Sequence, residues 1–176
     1  ARERGVLDIM SSGGATTLTN AQCSRTGFHW SWDSYMIVRS VADAVVAQGG
    51  DSWFFLSTDT PFGAASEAAG TQFIESAGGQ VLGSIKVRHA SADMSSFLLQ
   101  AQTSGAQVVG LAIAGSDFIN AVRQAREFGI TPTQSLAAVV AFISDVHSIG
   151  LESAQGMYLS EPFYWDLNDK TREWSR

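Results

Sequence analysis

The sequence predicts an α/β protein in which a doubly wound parallel sheet carries helices on both faces. Short apolar runs, typical of buried parallel strands, alternate along the chain with helical patterns of about 11–15 residues. Glycines follow these helical patterns and end them, as at Gly49-Gly50 and Gly78-Gly79. This alternation indicates right-handed βαβ units, and therefore parallel strands joined by helical crossovers.

Each strand is predicted from a short apolar or alternating run of residues. In chain order the predicted strands are 6–11, 28–32, 52–57, 80–87, 107–113, 136–141 and 156–159. Each helix is predicted from a capping residue followed by apolar residues three or four positions apart. The predicted helices are 33–47 (capped by Asp33 or Ser34), 63–77, 93–104 (capped by Asp93), 116–128 (capped by Ser116 or Asp117), 144–151, and a last helix from Asn168 or Asp169.

The composition is that of a globular domain. The chain has 176 residues, of which 45% are hydrophobic and 16% are charged, and its formal net charge is −6. These values argue against disorder, and the lack of a basic patch argues against a nucleic-acid partner. The single cysteine, Cys23, cannot form an internal disulfide. No apolar run reaches the roughly 18 residues that a membrane span needs.

Both ends of the sequence look cut. The chain opens without Met, and its first residues lead straight into a strand-like segment at 6–10, so we recognise no signal peptide in it. It closes within a few turns of the helix predicted from Asn168 or Asp169. We therefore expect a fragment of a longer protein.

The motifs that would indicate an enzyme are missing from the sequence. It contains no GxGxxG after a strand, no GxxxxGK[ST], no GxSxG and no HExxH. Ser144, Asp145 and His147 are local neighbours, whereas a working triad gathers its members from distant loops, so we interpret them as structural. His29, His89 and His147 lack metal-ligand spacing. The sequence predicts no catalytic residue, no metal and no cofactor.

Four turns follow the carboxyl ends of predicted strands, which is where open parallel sheets bind ligands. They share hydroxyl groups, backbone N–H groups at helix starts and a few aromatic rings. The turns are residues 11–16, 58–62, 114–117 and 142–145. These groups favour a small organic acid, because helix N-termini attract carboxylates and rings supply apolar walls. The same Ser, Thr and Asp residues are also ordinary helix caps, so the pattern alone leaves both roles open.

Aromatic residues near these turns allow two interpretations. Phe62 is either the wall of a ligand site or a ring that packs under its own helix. Trp30, Trp32 and Tyr35 form either a stacking platform or a cover for the end of the sheet. For most of this cluster we favour packing.

Five stretches have a recognisable order and spacing when taken together. They are SSGGATTLTN (Ser11–Asn20), GGDSWFFLSTDTPFGAASE (Gly49–Glu67), DMSSFLLQAQTSGAQVVGLAIAGSD (Asp93–Asp117), INAVRQAREFGI (Ile119–Ile130) and AQGMYLSEPFYWD (Ala154–Asp166). In this order they resemble the type I solute-binding proteins of ABC importers, in the branch related to Leu/Ile/Val-binding proteins and in its aromatic-acid subset. The resemblance implies two lobes that close over a solute by a hinge. It also implies a division into 1–18 (strand and ligand loop of lobe one), 19–28 (crossover), 29–158 (lobe two) and 159–176 (crossover back and start of a lobe-one helix).

The resemblance nominates site residues at the cleft-facing turns. The loop after the first strand looks like the family loop whose hydroxyl and backbone amides hold the solute carboxylate, and the other turns supply hydroxyls and rings. The nominated residues are Ser12, Gly13, Gly14, Ala15, Thr16, Thr58, Thr60, Phe62, Ala114, Gly115, Ser116 and Phe142. Amino-acid-binding relatives often carry an acidic residue near the last turn, whereas residues 137–142 hold none before Asp145. The resemblance therefore implies an amine-free acid, either aromatic or aliphatic with branched-chain acids included.

Further expectations concern partners and location. The resemblance implies a periplasmic binding protein that is not an enzyme, with a small carboxylic acid and ABC permease subunits as partners. The alternative is a sensor domain of a receptor or regulator with the same fold. A third possibility, an enzyme of the doubly wound class, is disfavoured by the missing motifs. A chain without most of lobe one would expose an apolar interface, so we also expect a dimer of the fragment or disorder at its ends.

Overall fold

Two parallel sheets form the framework of the computed structural model, which describes residues 1–11 and 13–176. The strands are β1 (Asp8–Met10), β2 (Gly27–His29), β3 (Ser52–Thr58), β4 (Gln80–Val87), β5 (Val108–Ala112), β6 (Ser135–Ala138) and β7 (Tyr158–Leu159). The α-helices are α1 (Ser34–Val46), α2 (Pro61–Ser76), α3 (Ser95–Thr103), α4 (Gly115–Glu127), α5 (Ile143–Ile149), α6 (Leu151–Ala154) and α7 (Asp169–Trp174). Short 3-10 turns span Arg2–Arg4 and Thr16–Leu18. The strand pairs are parallel, which confirms the predicted fold class.

The larger sheet has the strand order β4-β3-β5-β6-β7. Its strand β3 pairs with β4 on one side and with β5 on the other, so Leu56 lies opposite both Ile85 and Leu111. The chain moves outward from β3 to β4 and then crosses back to β5, which reverses the direction of winding between β3 and β5. Such a reversal leaves a crevice at the carboxyl ends of the two strands, where open α/β sheets bind ligands.

Helices cover both faces of the larger sheet. On one face α1 and α2 enclose a buried cluster that includes Trp53 and Phe55 of β3. On the other face α3 and α4 enclose a second cluster, which includes Phe54 and Leu56 of the same strand. Successive β3 side chains therefore alternate between the two clusters, as strand geometry requires. Because both faces are covered, an uninterrupted apolar strand is stable here.

Helix starts agree with the prediction at α1 and differ at α3 and α4. Asp33 caps α1, and its carboxylate accepts a hydrogen bond from the Met36 N–H at 2.8 Å. The third helix begins only at Ser95, and the Asp93 carboxylate accepts from the Ser95 N–H at 2.9 Å. The fourth helix begins at Gly115, after Ala114, so the prediction of Ser116 or Asp117 as its cap is wrong. Ala114 has no side-chain oxygen to act as a cap.

The remaining strand ends are shorter than the apolar patterns suggested. Strand β2 ends at His29, so the predicted extension to Trp32 is wrong, and β6 ends at Ala138 instead of Ala141. In both places the chain leaves the ladder to start a helix, α1 or α5, within a few residues. After β6 the apolar run continues because residues 139–141 enter the turn and still face the core, whereas Trp30 after β2 faces the solvent.

The smaller sheet consists of β1 and β2, paired from Asp8–Gly27 to Met10–His29. Its apolar side chains remain exposed, since Ile9 keeps 61% and Phe28 keeps 51% of its accessible surface. The aromatic residues of the last segment are exposed as well, and Phe163 packs edge-on against Trp174 with ring centroids 5.1 Å apart. The assignment of these segments and the two crossovers to two lobes stays a prediction.

Candidate functional site

The turn after β3 lies at the winding reversal. The carbonyl oxygen of Thr58 accepts a hydrogen bond from the Thr60 N–H at 2.8 Å, and the Thr60 hydroxyl oxygen accepts from the Gly63 N–H at 3.3 Å. A Cβ at Gly63 would lie 2.1 Å from the Thr58 carbonyl oxygen, so this tight turn requires glycine there. Phe62 is half-buried and packs against the α1–α2 cluster. Its ring therefore packs under its own helix and still keeps part of its surface exposed.

The turn after β5 is its neighbour, because β5 pairs directly with β3. Ala114, Gly115 and Ser116 are exposed, and Gly115 has a φ of +62°, a left-handed conformation that glycine adopts without strain. Within residues 1–11 and 13–176, no side chain caps the start of α4. The first N–H groups of this helix therefore remain available to water or to an anion.

Asp117, in the first turn of α4, has a structural role. Its side chain is buried, and its Oδ2 accepts a hydrogen bond from the Ala90 N–H at 3.0 Å. The same oxygen lies 3.4 Å from Nδ1 of His89, whose ring is mostly exposed. Ala90 has a φ of +61°, which is uncommon for a residue with a side chain. Asp117 thus secures the loop between β4 and α3 and does not extend into the crevice turns.

The N-terminal loop is tied to the start of α1. Its predicted residue Ser12 lies outside the described residues. The carbonyl oxygen of Gly14 accepts hydrogen bonds from both the N–H and the hydroxyl of Ser34, each at 2.7 Å. The carbonyl oxygen of Thr16 accepts from the Asn20 side-chain amide at 3.1 Å. Gly13, Gly14 and Thr16 are half-buried and Ala15 is exposed.

The turn after β6 meets this loop through Trp32. Phe142 is half-buried, and its N–H donates to the Asp145 carboxylate at 2.9 Å. The Phe142 and Trp32 rings have centroids 5.9 Å apart and are tilted by 50°. Cζ3 of Trp32 lies 2.4 Å from the position that a Cβ on Gly14 would occupy. Trp32 is therefore wedged between the glycine loop and the last turn.

The predicted site residues thus come together in two groups. Residues 58–62 and 114–116 follow paired strands, whereas residues 13–16 and Phe142 are joined through Trp32. The packing that we predicted for the aromatic cluster holds for Trp32 and for Tyr35, whose ring meets Phe73 edge-on at 4.9 Å. It does not hold for Trp30, which is 81% exposed.

The Ser144–His147 segment has the geometry of an ordinary helix start. The Asp145 carboxylate is engaged with the Phe142 N–H, and the carbonyl oxygen of Ser144 accepts from the Ser148 hydroxyl at 2.9 Å. His147 is exposed on the same helix. These contacts support the structural interpretation of this segment.

Glu161 is a residue near the site that sequence reasoning missed. Partial burial raises the pKa of its carboxyl above the usual value. A hydrogen bond from the Ile143 N–H lowers the pKa, and the negative charge of Asp145 raises it further. Its Oε2 is buried and lacks a hydrogen-bond partner within the described part of the chain. No local pattern marks this residue, because the segment after β7 approaches the start of α5 only in the folded chain.

The chain matches a known protein family over its full length. A sequence model described as "periplasmic binding protein" matches residues 1–176, so the chain belongs to this family. Membership confirms the predicted resemblance and the expectation of a binding protein in place of an enzyme. A search of curated proteins finds no match.

Solved structures place the chain within the same class. A periplasmic binding protein from Burkholderia mallei is 45% identical, with a TM-score of 0.91 over 99% of this chain and 46% of that one. A branched chain amino acid ABC transporter periplasmic ligand-binding protein from Burkholderia xenovorans is 33% identical, with a TM-score of 0.88 over 98% of this chain and 46% of that one. An ABC transporter solute-binding protein from R. palustris, in complex with benzoate, shares the fold at 18% identity and a TM-score of 0.87, over 98% and 48% of the two chains. The chain thus spans about half the length of the structures it matches.

In the described ranges, 1–11 and 13–176, no helix combines the length and the apolar character needed to cross a bilayer.

Proposed function

We propose that the chain forms the greater part of one lobe of an ABC-importer binding protein, together with a strand and loop of the other lobe, and that it helps to capture a small carboxylic acid. One observation carries the proposal beyond family membership. The turns 58–62 and 114–116 follow adjacent strands at the point where the winding reverses, which is the usual ligand position in open α/β sheets. The exposure of the β5 turn fits a face that a second lobe would cover.

Each predicted group has a stated role in this proposal. The uncapped start of α4, at Ala114–Ser116, offers N–H groups to the solute carboxylate, with help from the 12–16 loop. The other side of the crevice is assigned to the end of β3, where Thr60 is half-buried and Thr58 keeps only 8% of its surface exposed. The exposed parts of Phe62 and Phe142 provide apolar walls for the body of the solute.

The solute proposed is an acid without an α-amine, either aromatic or branched-chain. Residues 137–142, at the end of β6, hold no carboxylate, and the Asp145 carboxylate that follows accepts the Phe142 N–H as part of the start of α5. The carboxyl of Glu161 is nearby, and partial burial raises its pKa above the usual value, so an α-amino acid is the competing solute class in the test. The relatives include proteins named for branched chain amino acids and for benzoate, so both classes belong in any test.

The proposal includes location and partners. We place the protein in the periplasm, with permease subunits of an ABC transporter as its docking partners. Residues 19–28 and 159–165 would be inter-lobe crossovers, and the remainder of lobe one would pack on β1, β2 and the last segment. Without that remainder, the chain would self-associate through the exposed apolar faces of these segments.

A thermal-shift panel tests the binding function. The protein to use is a chimaera in which this chain replaces the aligned 46% of the Burkholderia mallei protein, because the chimaera contains a complete cleft. Benzoate, 4-hydroxybenzoate, isovalerate and leucine are the probes. A ligand at a hundred times its Kd should stabilise the protein by about 2.7 kcal/mol, which is readily seen as a higher Tm.

The outcomes are distinct. Stabilisation by the amine-free acids supports the proposal. Stabilisation by leucine alone contradicts the proposal that the solute lacks an α-amine, but it still supports a role in binding a small solute. No stabilisation by any probe, in a chimaera that unfolds cooperatively, contradicts the carboxylic acid itself.

A further inference from the structure

We propose that Trp32 is a positioning residue that holds the glycine loop (residues 13–16) against the turn after β6, and that its size sets which acids the site accepts. The second part of this proposal rests on the proposed function. Trp32 lies outside every strand and helix, between β2 and α1, and its ring is half-buried. It contacts one predicted site residue on each side, Gly14 and Phe142.

The contact with Gly14 leaves no room for any side chain. A Cβ at position 14 would lie 2.4 Å from Cζ3 and 2.9 Å from Cη2 of the indole ring. Real Cβ atoms do not approach heavy atoms so closely, and a half-buried indole is too rigid to move aside cheaply. Residue 14 must therefore be glycine for as long as Trp32 keeps this position.

The backbone of Gly14 is held from a second direction. Ser34 donates both its N–H and its hydroxyl to the Gly14 carbonyl oxygen, each at 2.7 Å. Ser34 is the first residue of α1, and Asp33 fixes that helix start by accepting the Met36 N–H. Trp32 and Ser34 flank Asp33 in sequence. The residues around the start of α1 therefore hold the glycine loop by two contacts, the indole of Trp32 and the hydrogen bonds of Ser34.

Trp32 also contacts Phe142, in the turn after β6. The two rings lie 5.9 Å apart at a tilt of 50°, a distance and angle at which aromatic pairs attract each other. Both rings pack against the same buried cluster of α1 and α2, as does Phe62. The indole thereby fixes the gap between the loop proposed to hold the carboxylate and the ring proposed to face the body of the solute.

A mutant cycle tests the positioning role without any ligand. Gly14→Ala should raise the unfolded-to-folded ratio about tenfold in the original chain, because the new methyl group collides with the indole. In the Trp32→Phe background, which lacks Cζ3 and Cη2 of the indole, the same change should raise the ratio less than about twofold. Urea unfolding of the 176-residue chain measures all four proteins. If Gly14→Ala does not fold at all, the recovery of a folded double variant reports the same coupling.

Two controls separate this role from general packing. Gly13→Ala changes the same loop, but its Cβ would meet Leu18 Cδ1 at 2.9 Å, so Trp32→Phe should not rescue it. Trp30→Phe alters the neighbouring tryptophan, which is 81% exposed, and should not rescue Gly14→Ala. Equal damage by Gly14→Ala in both Trp32 backgrounds would overturn the positioning role.

Binding measurements on the chimaera test whether Trp32 sets the selectivity of the site. Trp32→Phe should change the ratio of the Kd values for benzoate and isovalerate by about tenfold, because the wall between the two turns becomes smaller. If both acids bind and Trp32→Phe changes the ratio of their Kd values by less than about twofold, the selectivity role is overturned. The positioning role is then decided by the mutant cycle alone. If neither acid stabilises the unmodified chimaera, both the proposed function and the selectivity role are contradicted. The mutant cycle needs no ligand, so it still tests the positioning role.

Discussion

The two sheets of this protein are built from similar residues and have opposite environments. In the larger sheet, Leu56 of β3 and Leu111 of β5 are both 0% exposed. In the smaller sheet, Ile9 of β1 and Phe28 of β2 keep more than half of their surface exposed. All four are apolar residues in parallel strands. The difference comes from the layers around them, since helices cover both faces of the larger sheet and leave those of the smaller one open.

This comparison shows where the stability of the chain resides. A two-stranded sheet with exposed apolar faces contributes little on its own, whereas the larger sheet removes two complete clusters from water. The candidate site spans both regions. The turns after β3 and β5 belong to the covered sheet, and the glycine loop belongs to the uncovered one, which Trp32 and Ser34 attach to α1.

The largest expected effect comes from matched truncations in the two sheets. Leu111→Ala should lower the free energy of unfolding by about 2–5 kcal/mol, because it leaves a cavity in a closed core. Ile9→Ala should change it by about 0.5 kcal/mol or less, because the side chain is already largely in water. Urea unfolding followed by circular dichroism measures both. A similar loss for both variants would show that β1 is buried in solution.

The next effect concerns self-association through the smaller sheet. The unmodified chain should form dimers at micromolar concentration, and the double variant Ile9→Ser with Phe28→Ser should be monomeric, because it removes the apolar patch. Multi-angle light scattering over a concentration series measures the mass. Leu151→Ser is the control, since Leu151 is exposed on α6, and it should leave the dimer unchanged. A monomeric unmodified chain at all concentrations would contradict the proposed interface.

The smallest effect is a pH dependence at Glu161, which lies in the segment after β7, beside the start of α5. The carboxyl has a pKa above its usual 4.5 in the folded chain, so the folded state binds a proton more readily than the unfolded state. Stability from this group is present below pH 4.5 and is lost as the pH rises through the raised pKa. Glu161→Gln should therefore raise Tm relative to the original chain at pH 7.

The control for Glu161 is the same comparison at low pH. Near pH 4 the carboxyl is protonated in the folded chain, so the original chain and Glu161→Gln should have similar Tm values. Differential scanning calorimetry at the two pH values gives the difference directly. If Glu161→Gln instead lowered Tm at pH 7, the pKa in the folded chain would be lowered and not raised.

Local patterns in the sequence were sufficient for most of the fold. The Asp33 cap, the apolar runs of β3 and β5 and the glycines after α1 and α2 depend on neighbours within a few positions, so propensity and periodicity identify them. The predictions failed where a tertiary contact replaced a local one. Asp117 looks like a helix cap in sequence, yet its carboxylate accepts the Ala90 N–H of another loop.

The sequence by itself determined the fold class, the order of the elements and the turns that carry the candidate site, because these follow from short-range patterns. The order of five stretches along the whole chain indicated the family. Only the tertiary structure decided which turns meet. Gly14 and Phe142 are far apart in the chain and come together through Trp32, and Glu161 approaches Ile143 and Asp145 from a separate segment. Such contacts depend on how strands and helices pack, and packing is set by the whole core and not by any local run of residues.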